Sequence, residues 1–210
     1  MTEHRSMNTI IHAAFRRDLA RFDDALATFP NTQERADQLW TAWENYSHQL
    51  HQHHHDEETI FFPAMRQLGA DESLVGDLGG EHQRMAAALD AATATMQALH
   101  RAPTADNASA AREAMAAFGA ILDEHLAHEE RDLEPWAVAN LKGTPQFKAA
   151  QAAVRKSMKG QAGTFFSWLY DGAGPDERAA LSQQVPAPVL FVIKKIGGRD
   201  YRRRVAPVWS

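Results

Sequence analysis

Residues 53–63 read HHHDEETIFFP and residues 125–135 read HLAHEERDLEP. Laid over one another, the two stretches keep a leading His, a Glu-Glu pair at the fifth and sixth positions and a Pro at the eleventh. A His and a Glu four residues apart share one face of a helix, one turn from each other. His53 with Glu57, and His125 with Glu129, can therefore each reach a common point. The duplication continues upstream, because His12 precedes His53 by 41 residues and His82 precedes His125 by 43. The chain reads as two helical hairpins, each contributing half of one site.

Around these stretches, apolar residues recur at alternating spacings of three and four, which predicts four amphipathic helices and an all-α, up-and-down four-helix bundle. The first runs from about Ser6, a capping serine, to Phe29 before Pro30, with Phe15, Leu19, Phe22, Leu26 and Phe29 on its seam. The second runs from about Thr32 to Leu68, with Leu39, Trp43, Tyr46, Leu50, Ile60 and Ala64 inward; Pro63 is expected to bend its last turns and Gly69 to close it. The third is expected to begin near Glu81, since Gly79-Gly80 stand just before it, with Met85, Leu89, Ala92, Met96 and Leu99 inward. Asp71 to Leu78 reads as a short preceding turn or helix. The fourth runs from about Ser109 to Asn140, with Met115, Phe118, Leu122, Leu133 and Trp136 inward.

Extending each seam by three or four residues meets polar groups. Phe15 leads back to His12, Leu50 forward to His53 and Glu57, Met85 back to His82, and Leu122 forward to His125 and Glu129. A buried unpaired imidazole or carboxylate costs several kcal/mol, so six of them on buried stripes call for a neutralising partner, and a metal is the simplest. The heights agree as well. His12 lies 17 residues before Phe29 and His53 lies 21 residues after Thr32, about 26 and 32 Å of helix in an antiparallel pair. The chain has no cysteine, which excludes thiolate metal sites, disulfides and cysteine nucleophiles, and leaves His and carboxylate as ligands.

The cluster of five histidines between His48 and His55 leaves choices open. His54 with Glu58 is also an i, i+4 pair, and a shift of one residue would put it in place of His53 and Glu57; the latter continue the seam and match the second half. His51, His55 and His128 read as solvent-facing or as hydrogen-bonding supports of a ligand. His4 and His100 read as surface residues. Tyr46, Trp40, Trp43 and Trp136 read as packing residues, Tyr46 with a second option of a hydrogen bond near the metal.

At 210 residues, 44% hydrophobic and 23% charged, the chain is of globular composition rather than disordered. The N-terminus, MTEHRSMNTIIHAAFRRD, lacks the apolar stretch of a secretory leader, from which a cytoplasmic location is expected. The longest strictly apolar run, Val189 to Ile193, is far short of a membrane span. Charge divides the chain. Residues 1–140 carry 10 lysines and arginines against 23 acids, and residues 141–210 carry 12 against 4. A boundary is placed at this step, near LKGTP, giving a bundle over 1–140 and a basic, mostly helical extension over 141–210. The extension predicts a helix over about 144–170, weakened by Gly160 and Gly163, and another through Arg178 to Gln184. The apolar PAPVLFVIKKIGG and the basic triplet Arg202 to Arg204 follow. Docking of this basic segment on its own bundle, or on a second copy in a homodimer, is favoured over nucleic acid or an anionic membrane surface.

A lone His in the first helix, HHxxEE then FFP in the second, Glu-His opening the third and HLxxEE then Pro in the fourth together resemble the hemerythrin-like HHE cation-binding family, over about residues 8–140. The resemblance implies a four-helix bundle around two iron ions with an oxo or hydroxo bridge. His12, His53, His82 and His125 would be the imidazole ligands and Glu57 and Glu129 the bridging carboxylates; zinc or manganese is the lesser expectation. Oxygen carriers of the family have a second third-helix His, where this chain has Ala86, and an Asp five residues after the last His, where it has Glu130. The missing imidazole favours open positions and reactivity with oxygen, nitric oxide or hydrogen peroxide over protected oxygen storage. The expected function is to bind or sense such a ligand, with a catalase-like or peroxidase-like enzyme of oxidative or nitrosative stress defence, or an iron store, as alternatives.

Overall fold

Each long helix begins where a short polar side chain can take up a free backbone N–H. Ser6 Oγ accepts from Thr9 N to start α1 (Met7–Ala27), and Thr32 Oγ1 from Arg35 N to start α2 (Gln33–Asp56). A short helix α3 (Phe62–Gln67) continues α2 and closes on Gly69 at φ 85°. Asp71 Oδ1 accepts from Ser73 N at the start of α4 (Glu72–Arg101), and Thr104 Oγ1 from Asn107 N at the start of α5 (Ala105–His128), which runs on into α6 (Glu134–Trp136). A computed structural model describes residues 6–185, 190–191 and 197–210 of the chain, and no strand occurs among them.

α1 packs on α2 and α5, and α4 packs on α2 and α5, so the long helices enclose one interior. Phe15, Phe22, Leu39, Trp43, Tyr46, Met85, Phe118 and Leu122 fill it. Trp43 lies parallel to Tyr46 at 5.4 Å between ring centres, and Phe22 and Phe118 meet both edge-on. Tyr46 is thus a core aromatic, as its place on the seam suggested.

Two helix boundaries differ from the sequence reading. α4 starts at Glu72, not near Glu81, and carries Gly76, Gly79 and Gly80 within it. The reason is that Val75 and Leu78 extend the apolar seam backward and are buried in a second small core with Phe62, Met65, Leu133 and Leu141. Burying two such side chains outweighs about 1 kcal/mol of lost helix propensity per glycine. The fourth helix begins at Ala105, one turn before Ser109, because Thr104 supplies the cap.

Pro63 and Pro135 both interrupt the regular helical hydrogen bonding. Each follows a π-helical turn, Glu57–Phe61 and Glu129–Leu133. A proline has no N–H for the carbonyl four residues back and its ring crowds that carbonyl. Widening to i→i+5 spacing relieves the clash, and the N–H of the residue before each proline, Phe62 and Glu134, reaches back to Glu57 O and Glu129 O.

The basic segment forms α7 (Pro145–Ser157), α8 (Ala162–Tyr170), α9 (Pro175–Gln184) and α10 (Arg199–Arg204), ending in a 3-10 turn at Ala206–Trp209. The single helix expected over 144–170 is two, since Gly160 turns the chain at φ 87°. Gly163 permits a close approach, as a Cβ there would meet the Gly197 backbone at about 2.0 Å. Trp168, Leu169, Leu181, Tyr201 and Val208 join the bundle core itself. The apolar segment around Val189 and Lys194-Lys195 lies outside the described residues, as does His4; no helix among the described residues is long and apolar enough to cross a membrane.

Candidate metal centre

The duplicated stretches place their His and Glu side chains where the helices face one another, in two groups. His12, His53 and Glu129 form one; His54, Glu57, His82 and His125 form the other; within each, one donor atom per residue lies within 4.8 Å of the rest. All six residues read from the seams converge, and His54 joins them beside His53 rather than in its place. Adjacent helix positions differ by about 100°, so His53 turns toward α1 and His54 toward α4. Rings follow suit: His53 meets His12 at 5.5 Å, and His54 stacks on His82 at 4.2 Å.

The carboxylates cross between hairpins. Glu57 offers Oε1 to His53 Nε2 at 3.3 Å and Oε2 to His82 Nε2 at 3.6 Å. Glu129 offers Oε2 to His12 Nε2 at 3.1 Å and Oε1 to His125 Nε2 at 3.7 Å. Both stand at the first residue of a π turn, so the locally widened helix carries the Glu that faces the interior.

A second layer fixes the imidazoles. His12 Nδ1 donates to Glu130, His82 Nδ1 to Glu58, and His125 Nδ1 to Glu81, at 2.8–2.9 Å. With Nδ1 protonated, each Nε2 keeps its lone pair toward the centre. Arg16 in turn holds Glu130 and Asp123, both at 2.6 Å. Glu81 also accepts from His128 Nδ1 at 2.8 Å, so His128 supports a candidate ligand indirectly, while His51 and His55 face outward. His100 stacks on Trp40 far from the site. Sequence reasoning missed the roles of Glu58, Glu81 and Glu130; the doubled Glu-Glu in both stretches was the visible signal for two of them.

Electrostatically the pocket is poised for cations. Burial holds the His53 imidazole down at about 3, and pushes His54 well below and His125 below the usual range, so all three are neutral. Burial works the same way on His12, but Glu129 and Glu130 beside it outweigh that and raise it. Glu57 is pushed well above the carboxylate range by burial and by Glu129, whereas the His12 contact overcomes burial to hold Glu129 at about 2. His12 Nε2, His53 Nε2, His54 Nε2, Glu57 Oε2 and Glu129 Oε1 are buried with no hydrogen-bond partner. Unpartnered buried acceptors are costly, and nitrogen and oxygen donors that converge in this way fit metal ions, which displace the protons. An open surface groove of about 400 Å³ is lined by Gly76, Asp77, Gly80, Glu81, Arg84 and His128, two of which, Glu81 and His128, belong to the second layer.

Helices that gather seven imidazole and carboxylate groups into two adjoining clusters able to hold metal ions define a cation-binding helical bundle. Comparison with family models identifies it further: residues 7–137 match the hemerythrin HHE cation binding domain, and the chain belongs to that family. Comparisons with curated proteins and with solved structures give no match.

Proposed function

We propose that the chain holds two iron ions in this pocket and binds dioxygen, nitric oxide or hydrogen peroxide there, as a carrier or sensor. The observation that carries the reading is the position of Glu57 and Glu129, each between an imidazole of one hairpin and an imidazole of the other. A carboxylate so placed suits a bridge between two ions better than a ligand to one. His12 and His53 would hold one ion, His54, His82 and His125 the other, with both carboxylates shared. His54 then adds an imidazole on the side where Ala86 offers none.

When bound, the ions supply a Lewis-acidic, redox-active pair with a position left for a small ligand. The protein supplies orientation and exclusion of water. Glu58, Glu81 and Glu130 hold the Nδ1 protons, Phe62 stacks on His82 at 5.9 Å, and Phe15 covers His53 at 5.6 Å. Imidazole and carboxylate donors also accept zinc or manganese, the lesser expectation for this donor set.

Metal analysis and an absorption spectrum of the purified protein should give about two irons per chain. His53→Ala and His125→Ala should each bring the metal content well below two and lower the melting temperature, because binding to the folded state stabilises it by mass action. Retention of both ions in both variants would end the assignment. On mixing with peroxide, sustained oxygen evolution would move the reading to a catalase-like enzyme, and a stable oxygen-dependent band supports the carrier.

A further inference from the structure

The outward face of α2 carries imidazoles that the buried centre leaves unused. His48, His51 and His55 are exposed there. His48 is engaged, with Nε2 at 2.6 Å from Gln161 Oε1. His51 differs: its Nδ1 lies 2.8 Å from the backbone carbonyl of Ser47, one turn back. A carbonyl only accepts, so Nδ1 carries the proton and Nε2 presents its lone pair to solvent. His55 stands four residues on, which places the two Cβ atoms about 5–6 Å apart on one face. Among the described residues, no carboxylate lies at ion-pair distance from either imidazole, whereas His12, His53, His82, His100, His125 and His128 all have one.

We infer that His51 and His55 form a second, surface site for a divalent transition-metal cation of the zinc, copper or nickel type. Two histidines at i and i+4 are the imidazole pair of helical zinc sites. A backbone carbonyl on the far nitrogen is the support that fixes the tautomer of a ligating His. Only two protein donors are offered, so water fills the remaining positions and the ion exchanges readily. The site uses no buried donor and stands apart from the reading of the interior.

The test uses the full-length, untagged, metal-loaded protein on an immobilised nickel resin, which reaches only surface donors. The wild-type chain should be retained, and a His51→Gln/His55→Gln variant should elute at clearly lower imidazole, while His48→Gln and His100→Gln elute as wild type. In equilibrium dialysis against zinc, the wild-type chain should take up one ion beyond those of the centre. Either single variant, reduced to one imidazole, should bind that ion about a hundredfold more weakly. Glutamine keeps the helix, and metal analysis should find the interior ions unchanged in every variant. Equal elution of the double variant and wild type, persistence of the extra zinc in the double variant, or loss of interior metal from it would each overturn the inference.

Discussion

Glu81 accepts from His125 Nδ1 through one carboxylate oxygen and from His128 Nδ1 through the other, at 2.8 Å each. It thereby sets the ring orientation of an imidazole that faces the centre, while itself lining the surface groove. Glu81→Gln keeps the shape but removes the charge and one acceptor. It should weaken metal binding by about 10–100-fold, read by competition with a chelator, with little loss of helix content. Glu58 and Glu130 act alike across the bundle, each gripping the imidazole of the opposite hairpin. None of these contacts was legible in the sequence, because i, i+4 spacing says which residues share a face of one helix and nothing about which atoms meet between helices. His12, His53, Glu57, His82, His125 and Glu129 were legible, since each interrupts an apolar seam and a seam marks what turns inward. His54 was legible only as a rival to His53, until the position of α4 showed that both faces of α2 border the pocket.

The π turns at Glu57–Phe61 and Glu129–Leu133 show one local rule used twice. Proline at the sixth residue after each interior Glu makes an ordinary helical turn impossible, and the widened turn carries that Glu. A disturbance of the helix was readable from Pro63 alone; its form was not, since the choice between a kink and a π turn depends on what the neighbouring helices leave room for. The glycines of α4 misled the sequence reading for a related reason. Their intrinsic preference is real, but Val75 and Leu78, buried at 1% and 0% exposure, dock that segment and override it. A Cβ at Gly76 or Gly79 would meet nothing within 4 Å. Gly79→Ala should therefore stabilise the protein by up to about 1 kcal/mol. A thermal melt should show a rise of about 2–4 °C, and a fall would mean that the glycine is needed for packing.

The extension docks on the bundle through apolar side chains that join its core. Its aromatic residues enter the bundle core: Trp168 is fully buried, lies 5.0 Å from Phe15 and donates from Nε1 to the buried Asp18 at 2.7 Å. Bundle arginines reach out to the extension: Arg21 forms an ion pair with Asp171 at 3.3 Å, and Arg17 donates a hydrogen bond to the Trp168 carbonyl at 3.2 Å. Trp168→Ala should cost about 3–5 kcal/mol in a denaturant titration, as befits a core residue rather than a tail contact. Acid should weaken the metal-free protein as a whole. His53, held at about 3 against the usual 6.5, and the similarly lowered His54 and His125 bind protons more readily when unfolded, so their contribution is lost as pH falls below about 6.5. Glu130, held at about 2 against 4.5, has the same sign over its own window. His12, raised by its carboxylates, and Glu57, raised by burial and by Glu129, work in the opposite direction, against the three imidazoles and Glu130. The melting temperature of metal-free protein should accordingly drop between pH 7 and pH 4, and a rise would contradict the burial of these groups. The amino-acid order by itself determined the long helices of the first 140 residues apart from the start of α4, their inward faces and the six interrupting groups, because periodicity and the cost of buried polarity are local properties of a chain. The tertiary structure alone decided that carboxylates cross between hairpins, that Glu81 serves two imidazoles and that the extension shares the bundle's core, because these are contacts between segments far apart in sequence, set by how whole helices pack.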